Sequence, residues 1–288
     1  MPIVTRFAPS PTGFLHLGHA HAALTAHRHA SDAGGRFLLR LEDIDPARCR
    51  PAYVAAIEAD LRWLGLEWDG PVRVQSAHLV EYRAALDALA ARGLVYPCFC
   101  TRADIAREIG QSAAAPHAPD GSAVYPGLCR TLPDAVRHAR IAAGEPHALR
   151  LDMAKALRAV PDRLTFIELG QGEIRCEPAS FGDVVLARKD APASYHLCVT
   201  HDDAAQGVSL VTRGIDLQPA THLHRLLQAL MGWPAPRYAH HSLLTDAAGK
   251  RLAKRDDAAT LRALRESGVS AADVRVMVAA RVQPGLPG

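Results

Sequence analysis

The sequence predicts an α/β fold: a parallel sheet, interrupted by an inserted cysteine-bearing module and followed by a short helical C-terminal segment. Two observations carry this. Short apolar segments with strand character alternate with longer helical ones near both ends of the chain, the signature of βαβ units. Between them, residues 96–180 lose that rhythm and hold three close cysteines, Cys98, Cys100 and Cys129, with a Pro/Ala/Gly-rich stretch over 113–127. At 288 residues, 49% apolar and 22% charged, the chain can bury a substantial core and is too apolar to remain disordered. No apolar run reaches the roughly 18 residues a membrane-spanning helix needs.

The elements follow in order. Residues 3–7 are short and apolar and read as the first strand, and Pro9, Ser10, Pro11, Thr12 and Gly13 then form a turn cluster. A helix runs from about residue 16 to 32 and is stopped by Gly34 and Gly35. Residues 37–41 form the second strand, ending in the acidic cluster Glu42, Asp43, Asp45. Pro51 suits the first turn of the next helix, whose Tyr53, Val54, Ile57, Leu61 and Leu64 share a face. A further helix covers 77–91. Strand signals return at 183–186, 195–200 and 208–212, with a helix over 222–231, and read as the second half of the same sheet. A short helix over 258–267 and a mobile Pro/Gly-rich end over 283–288 close the chain. The boundaries that result are 1–95 and 183–238 for the two halves of the sheet domain, 96–182 for the insertion, and 239–288 for a loop and helical tail.

The 33 basic residues barely outweigh the 30 acidic ones, for a net charge of +3. A broad basic coat is therefore excluded, and an RNA partner must be gripped by a local patch. Six cysteines are sparse for this length, so a disulfide scaffold is not indicated. The N-terminus has no charged region followed by an apolar one, so cytoplasmic residence is expected.

Three constellations carry chemistry. In the first, a strand and a Pro/Gly loop feed a helix that opens His16-Leu17-Gly18-His19. Histidines three apart share a face, and a helix N-terminus offers free N–H groups and about half a positive charge to an anion. Imidazoles there can donate to phosphate oxygens as charge develops, and Gly18 leaves room for a flat base. The second is Gly249-Lys250-Arg251-Leu252-Ala253-Lys254-Arg255, a glycine-flanked cationic loop able to clamp a triphosphate. Alone, each motif is also compatible with ordinary surface residues. The third is Cys98-Phe99-Cys100 with Tyr125 and Cys129, whose thiolates suit tetrahedral zinc. A fourth ligand is needed; by chemistry alone His117 is the better donor, since phenolate is an uncommon zinc ligand. Cys49, Cys176 and Cys198 read as packing residues.

Taken together, the stretch Arg6 to His19, the loop Arg251 to Arg255 and the blocks between them resemble class I glutamyl-tRNA synthetases. His16 to His19 is similar to the family's HIGH signature and Arg251 to Arg255 to its KMSKS signature. Supporting blocks are Arg40-Leu41-Glu42-Asp43-Ile44-Asp45, Tyr96-Pro97-Cys98-Phe99-Cys100-Thr101 and Val211-Thr212-Arg213-Gly214-Ile215-Asp216-Leu217. The resemblance covers nearly the whole chain and implies a Rossmann-like parallel sheet. The chain ends soon after the KMSKS-like loop, where ordinary members continue into an anticodon-reading region. That resembles the truncated branch of the family, whose members activate glutamate with ATP and place it on the queuosine base in the anticodon of tRNA(Asp).

The resemblance implies roles residue by residue. Arg6, Ala8, Ser10, Glu42, Tyr195 and Arg213 line the glutamate site. Arg6 and Arg213 offer forked donors to carboxylates, Glu42 pairs with the α-ammonium, and Tyr195 adds a hydroxyl and an aromatic wall. His16, Gly18, His19, Arg251 and Lys254 bind ATP, with His16, His19 and Lys254 catalytic. Arg251 stands where the signature has lysine and Ala253 where it has serine, which weakens the clamp without removing its charge. The branch's Cys-x-Cys then Tyr-x-x-x-Cys pattern assigns the fourth zinc position to Tyr125, with His117 the alternative. One structural zinc per chain, magnesium with ATP, and a monomer follow as expectations. Three other readings stay open: a truncated or partner-dependent synthetase acting on tRNA(Glu); a small-molecule nucleotidyltransferase, which would need neither the carboxylate-binding set nor the cysteines; and a non-catalytic, zinc-stabilised tRNA-binding module, to which Ala253 gives slight support.

Overall fold

In a computed structural model of the chain, residues 2–110, 117–119, 121–245 and 259–282 are described. β1 (Val4–Phe7) leads into α1 (Leu17–Asp32), β2 (Arg36–Leu41) into α2 (Pro51–Trp63), and the short β3 (Arg73–Val74) into α3 (Leu79–Ala91). These strands pair in parallel in the order β1-β2-β3. β1 is buried throughout and β2 in all but its first residue, as strands covered on both faces must be. Gly35 is required at the turn into β2: a Cβ there would lie 2.0 Å from the Ile3 carbonyl oxygen.

The middle of the chain contributes β4 (Val95–Cys98), α4 (Arg102–Gly110), α5 (Asp134–Ala142), β5 (Ala148–Leu151), α6 (Met153–Arg158), β6 (Thr165–Glu168), β7 (Gly172–Arg175) and β8 (Val185–Ala187). After it come α7 (Tyr195–Ala205), β9 (Leu210–Gly214), α8 (Gln218–Met231) and β10 (Arg237–His241). β4, β5 and β8 form a separate antiparallel sheet. β9 and β10 are parallel, and β10 continues through β6 to its hairpin partner β7.

Two element expectations are corrected. The strand expected at 183–186 forms as β8, but it pairs antiparallel with β5 instead of entering the parallel sheet. The strand expected at 195–200 is the first half of α7. A short apolar run does not distinguish a strand from a buried helix. Here the Ser194 side chain decides, by accepting the Leu197 N–H as an N-cap.

The two parallel groups meet at β1 and the start of β9. Ser209 N–H donates to the Val4 carbonyl (3.0 Å), and Val4 N–H donates to Ser209 Oγ (2.9 Å). From this seam the chain winds outward in opposite directions, β1 to β2 on one side and β9 to β10 on the other. Such a reversal leaves a crevice at the carboxyl ends of the strands.

The tail adds α9 (Leu261–Glu266) and α10 (Ala271–Ala279). Leu261, Val274 and Val278 join Leu15, Ile57 and Leu61 in one buried cluster, and Leu261 N–H donates to the Leu15 carbonyl at 2.8 Å. The end expected to be mobile, 283–288, lies outside the described residues. Among the described residues, no helix is long and apolar enough to cross a membrane.

Candidate active site and cysteine centre

The crevice at the β1/β9 reversal is a cleft of about 1280 Å³. Arg6 from β1, Ala8 and Ser10 from the following loop, Glu42 from the end of β2, Tyr195 from α7 and Arg213 from β9 all line it, with His19 of α1. Residues spread over two thirds of the sequence are thus brought to one cavity because their strands end, and α1 and α7 begin, there.

Two imidazoles cap α1. The His16 side chain accepts the Gly18 N–H through Nδ1 (3.1 Å), and His19 Nδ1 accepts the His16 N–H (3.2 Å). This is a capping box built from histidines. Each Nδ1 therefore acts as an acceptor, which in the neutral ring leaves the proton on Nε2. The pair presents N–H donors at the positive end of a helix. The rings lie 3.9 Å apart. Gly18 has a further reason beyond space for a base: a Cβ would come within 3.0 Å of the His16 ring.

Sequence reasoning missed the buried charge network behind the cleft. Asp203 Oδ1 accepts from Arg6 Nε (2.9 Å) and from Arg40 Nη1 (2.8 Å). Arg40, fully buried, also donates to Glu42 (3.3 Å) and Gln206 (3.1 Å). Asp202 accepts from Arg73, Gln75 and the Tyr82 hydroxyl, at 2.8, 2.8 and 2.9 Å. Burial alone would raise the Asp202 carboxyl, but hydrogen bonding to His201 and the charge of Arg40, with smaller help from Gln75 and Arg73, hold it down at about 2. Burial pushes the Glu42 carboxyl up against the pull of Arg40 and Arg6, so an incoming ammonium would relieve it. The one sequence signal for this network was the Asp202-Asp203 pair itself, and nothing local says that it turns inward.

Arg213 is held differently. Its Nε donates to His240 Nε2 (3.1 Å), Nη1 to His224 Nδ1 (3.0 Å) and Nη2 to Thr221 Oγ1 (2.7 Å). Behind it, His240 Nδ1 meets Glu168 Oε2 at 2.7 Å.

The cysteine centre forms where β4 runs into the loop before α4. The sulfurs of Cys98, Cys100 and Cys129 lie within 4.8 Å of one another, close enough to share a metal ion. The Tyr125 hydroxyl stands 3.4 Å from Cys98 Sγ and 3.3 Å from Cys100 Sγ, spacings that suit donors around one tetrahedral centre. The Arg150 guanidinium lies 3.8 Å over the Tyr125 ring, while burial and the neighbouring Cys100 and Cys98 thiols push the Tyr125 hydroxyl up. His117 is exposed and pairs with Ala123 in an isolated bridge instead. Of the two fourth-ligand alternatives, only Tyr125 is beside the sulfurs.

Arg251 and Lys254 lie outside the described residues, as do Lys250, Ala253 and Arg255. The segment that follows them is fastened to the first motif, however: Thr260 forms a bridge with His16.

Residues 2–281 match the family model for the catalytic domain of class I tRNA synthetases (E and Q). The chain is 52% identical over 284 residues to a glutamyl-Q tRNA(Asp) synthetase of Rhodobacter capsulatus, covering 96% of this chain and 99% of that one. It is 46% identical to a glutamyl-Q tRNA(Asp) synthetase of Nocardia farcinica, covering 95% and 82%. Among solved structures, a glutamate tRNA ligase of Elizabethkingia meningosepticum in complex with its amino acid is similar, with a TM-score of 0.75 at 28% identity over 89% of this chain. This chain spans 52% of the length of that structure.

Proposed function

This chain belongs to the class I tRNA synthetases (E and Q), and from that premise we propose that it activates glutamate with ATP and transfers it to the queuosine base in the anticodon of tRNA(Asp). The observation that carries the choice within the family is 52% identity, nearly end to end, to a protein bearing that name. The cleft supports it chemically, since it pairs two arginines with a carboxylate, as an amino acid with two carboxylates and one ammonium requires.

Activation is an in-line attack of a glutamate carboxylate oxygen on the α-phosphorus of ATP, with pyrophosphate leaving. No side-chain nucleophile is needed. Arg6, Arg213 and Glu42 position the amino acid, with Ala8, Ser10 and Tyr195 forming the wall. His16 and His19 donate to phosphate oxygens at the α1 N-terminus, Gly18 admits the base, and Arg251 and Lys254 neutralise the leaving group. Magnesium enters with ATP. Cys98, Cys100, Tyr125 and Cys129 hold one zinc, which acts structurally by cross-linking the inserted module that faces the RNA. The reaction is placed in the cytoplasm and in a monomer. In this division residues 1–95 and 183–238 carry activation, 96–182 the inserted module, and 239–288 the cationic loop and tail, except that β6 of the module pairs with β10 and β8 pairs back with β5.

The test is a charging assay. Label from glutamate is expected to enter tRNA(Asp) carrying queuosine, and neither tRNA(Asp) lacking it nor tRNA(Glu). Transfer to tRNA(Glu) alone would overturn the reading in favour of an ordinary substrate. Glutamate-dependent exchange of pyrophosphate into ATP, abolished by Lys254→Ala, separates it from a small-molecule nucleotidyltransferase.

A further inference from the structure

We propose that His224 is a positioning residue for the amino-acid site: with His240 and Thr221 it holds Arg213 in a cradle of neutral acceptors that aims it, without a carboxylate in direct contact, at the substrate carboxylate. The proposal rests on the reading that the cleft binds glutamate.

The two arginines of the cleft differ in electrostatic setting. Arg6 has a carboxylate in direct contact, Asp203 at 2.9 Å from its Nε, which it shares with Arg40. Arg213, buried to 6% exposure, pairs with no carboxylate among the described residues: its three hydrogen-bond partners are uncharged acceptors, at 2.7 to 3.1 Å. A guanidinium has donors only. Each ring nitrogen that faces it must therefore be unprotonated. That fixes His224 with its proton on Nε2, where it reaches His196 Nδ1 at 3.1 Å, and His240 with its proton on Nδ1, facing Glu168. Burial, then the charges of Arg213, His196, Arg6 and His240, hold the His224 ring far below its ordinary range. Burial likewise lowers His240, although Glu168 pulls the other way.

This arrangement uses three of the five N–H donors and leaves two for a ligand in the cleft that Arg213 lines. An acidic partner would have offset the arginine's charge and weakened its preference for a carboxylate over a carboxamide. Neutral acceptors fix its geometry and keep the nearest carboxylate on this side, Glu168, one imidazole away behind His240. His196 extends the relay to the cleft wall.

The experiment measures glutamate-dependent pyrophosphate exchange on the full chain, with KM determined separately for glutamate and for ATP. His224→Leu removes the acceptor; His224→Asn puts an oxygen near the position of Nδ1; Thr221→Val removes a second acceptor without changing shape. A hydrogen bond to a charged group of this kind is expected to matter by about 10- to 100-fold. The expected result is a rise of that size in the glutamate KM for His224→Leu, a smaller rise for Thr221→Val, near-native behaviour for His224→Asn, and an ATP KM within about threefold throughout. If His224→Leu fails to fold, Thr221→Val and His224→Asn decide. An unchanged glutamate KM, a parallel rise in both KM values, or no rescue by asparagine overturns the proposal. Absence of glutamate-dependent exchange in the unsubstituted chain would instead overturn the functional reading beneath it.

Discussion

Asp203 is the residue on which the candidate site is most exposed to a single change. Its one carboxylate serves two buried guanidiniums, Arg6 at 2.9 Å and Arg40 at 2.8 Å. Removing one partner of a buried ion pair costs far more than the pair itself contributes, because the remaining charge is stranded. Asp203→Asn is expected to lower the unfolding free energy by about 3–5 kcal/mol, measured by urea denaturation; a loss under about 1 kcal/mol would mean that water reaches the arginines and the network is effectively a surface one. Arg6, Glu42 and Arg213 were legible in the sequence, since each sits at a strand end inside a block that already resembled a known pocket. Asp202, Asp203, His224 and His240 were not. Their roles come from partners up to 197 residues away, and no local spacing encodes that contact.

At the scale of elements, the cysteine centre is the part with the sharpest expectation. β4 delivers Cys98 and the loop beyond it Cys100, while the segment before α5 returns Tyr125 and Cys129 to the same point. The purified chain is expected to contain close to one zinc. Cys98→Ser and Tyr125→Phe should each lower that content, and His117→Ala should leave it unchanged, as read by elemental analysis. Full retention of zinc by Tyr125→Phe with loss in His117→Ala would reverse the ligand assignment. The spacing of the cysteines was readable, and the resemblance to the branch's pattern already pointed to Tyr125; residue chemistry alone favoured His117, because both lie in the same irregular stretch and an imidazole is the commoner ligand. The same limit explains α7, where six residues of strand-like composition became helix once Ser194 capped them and their partners lay within the core.

At the scale of the whole molecule, the tail closes onto the first half of the chain. Asp60 of α2 is fully buried, and Arg265 of α9 approaches its Oδ1 at 3.3 Å without satisfying either carboxylate oxygen by hydrogen bonding. Burial raises this carboxyl to about 6, against the opposing charges of Arg265 and Arg262. The sign follows from the folded value lying above the ordinary 3.8. The folded state holds the proton longer, so stability falls as pH rises from about 4 through about 6, and the cost is fully present above that window. Asp60→Asn is expected to raise the melting temperature at neutral pH, with the gain shrinking as pH drops toward 4; a gain independent of pH would point to some other cause. By itself the sequence determined the strand–helix alternation, the capped α1 with its two histidines, the metal-competent cysteines and the membership of a known family, because these are properties of adjacent residues. Only the tertiary structure decided where the sheet reverses, that β8 leaves it and β6 joins it, and which histidines hold Arg213. Those outcomes depend on which distant strands share hydrogen bonds and which buried charges must find partners, and no stretch of neighbouring residues contains that information.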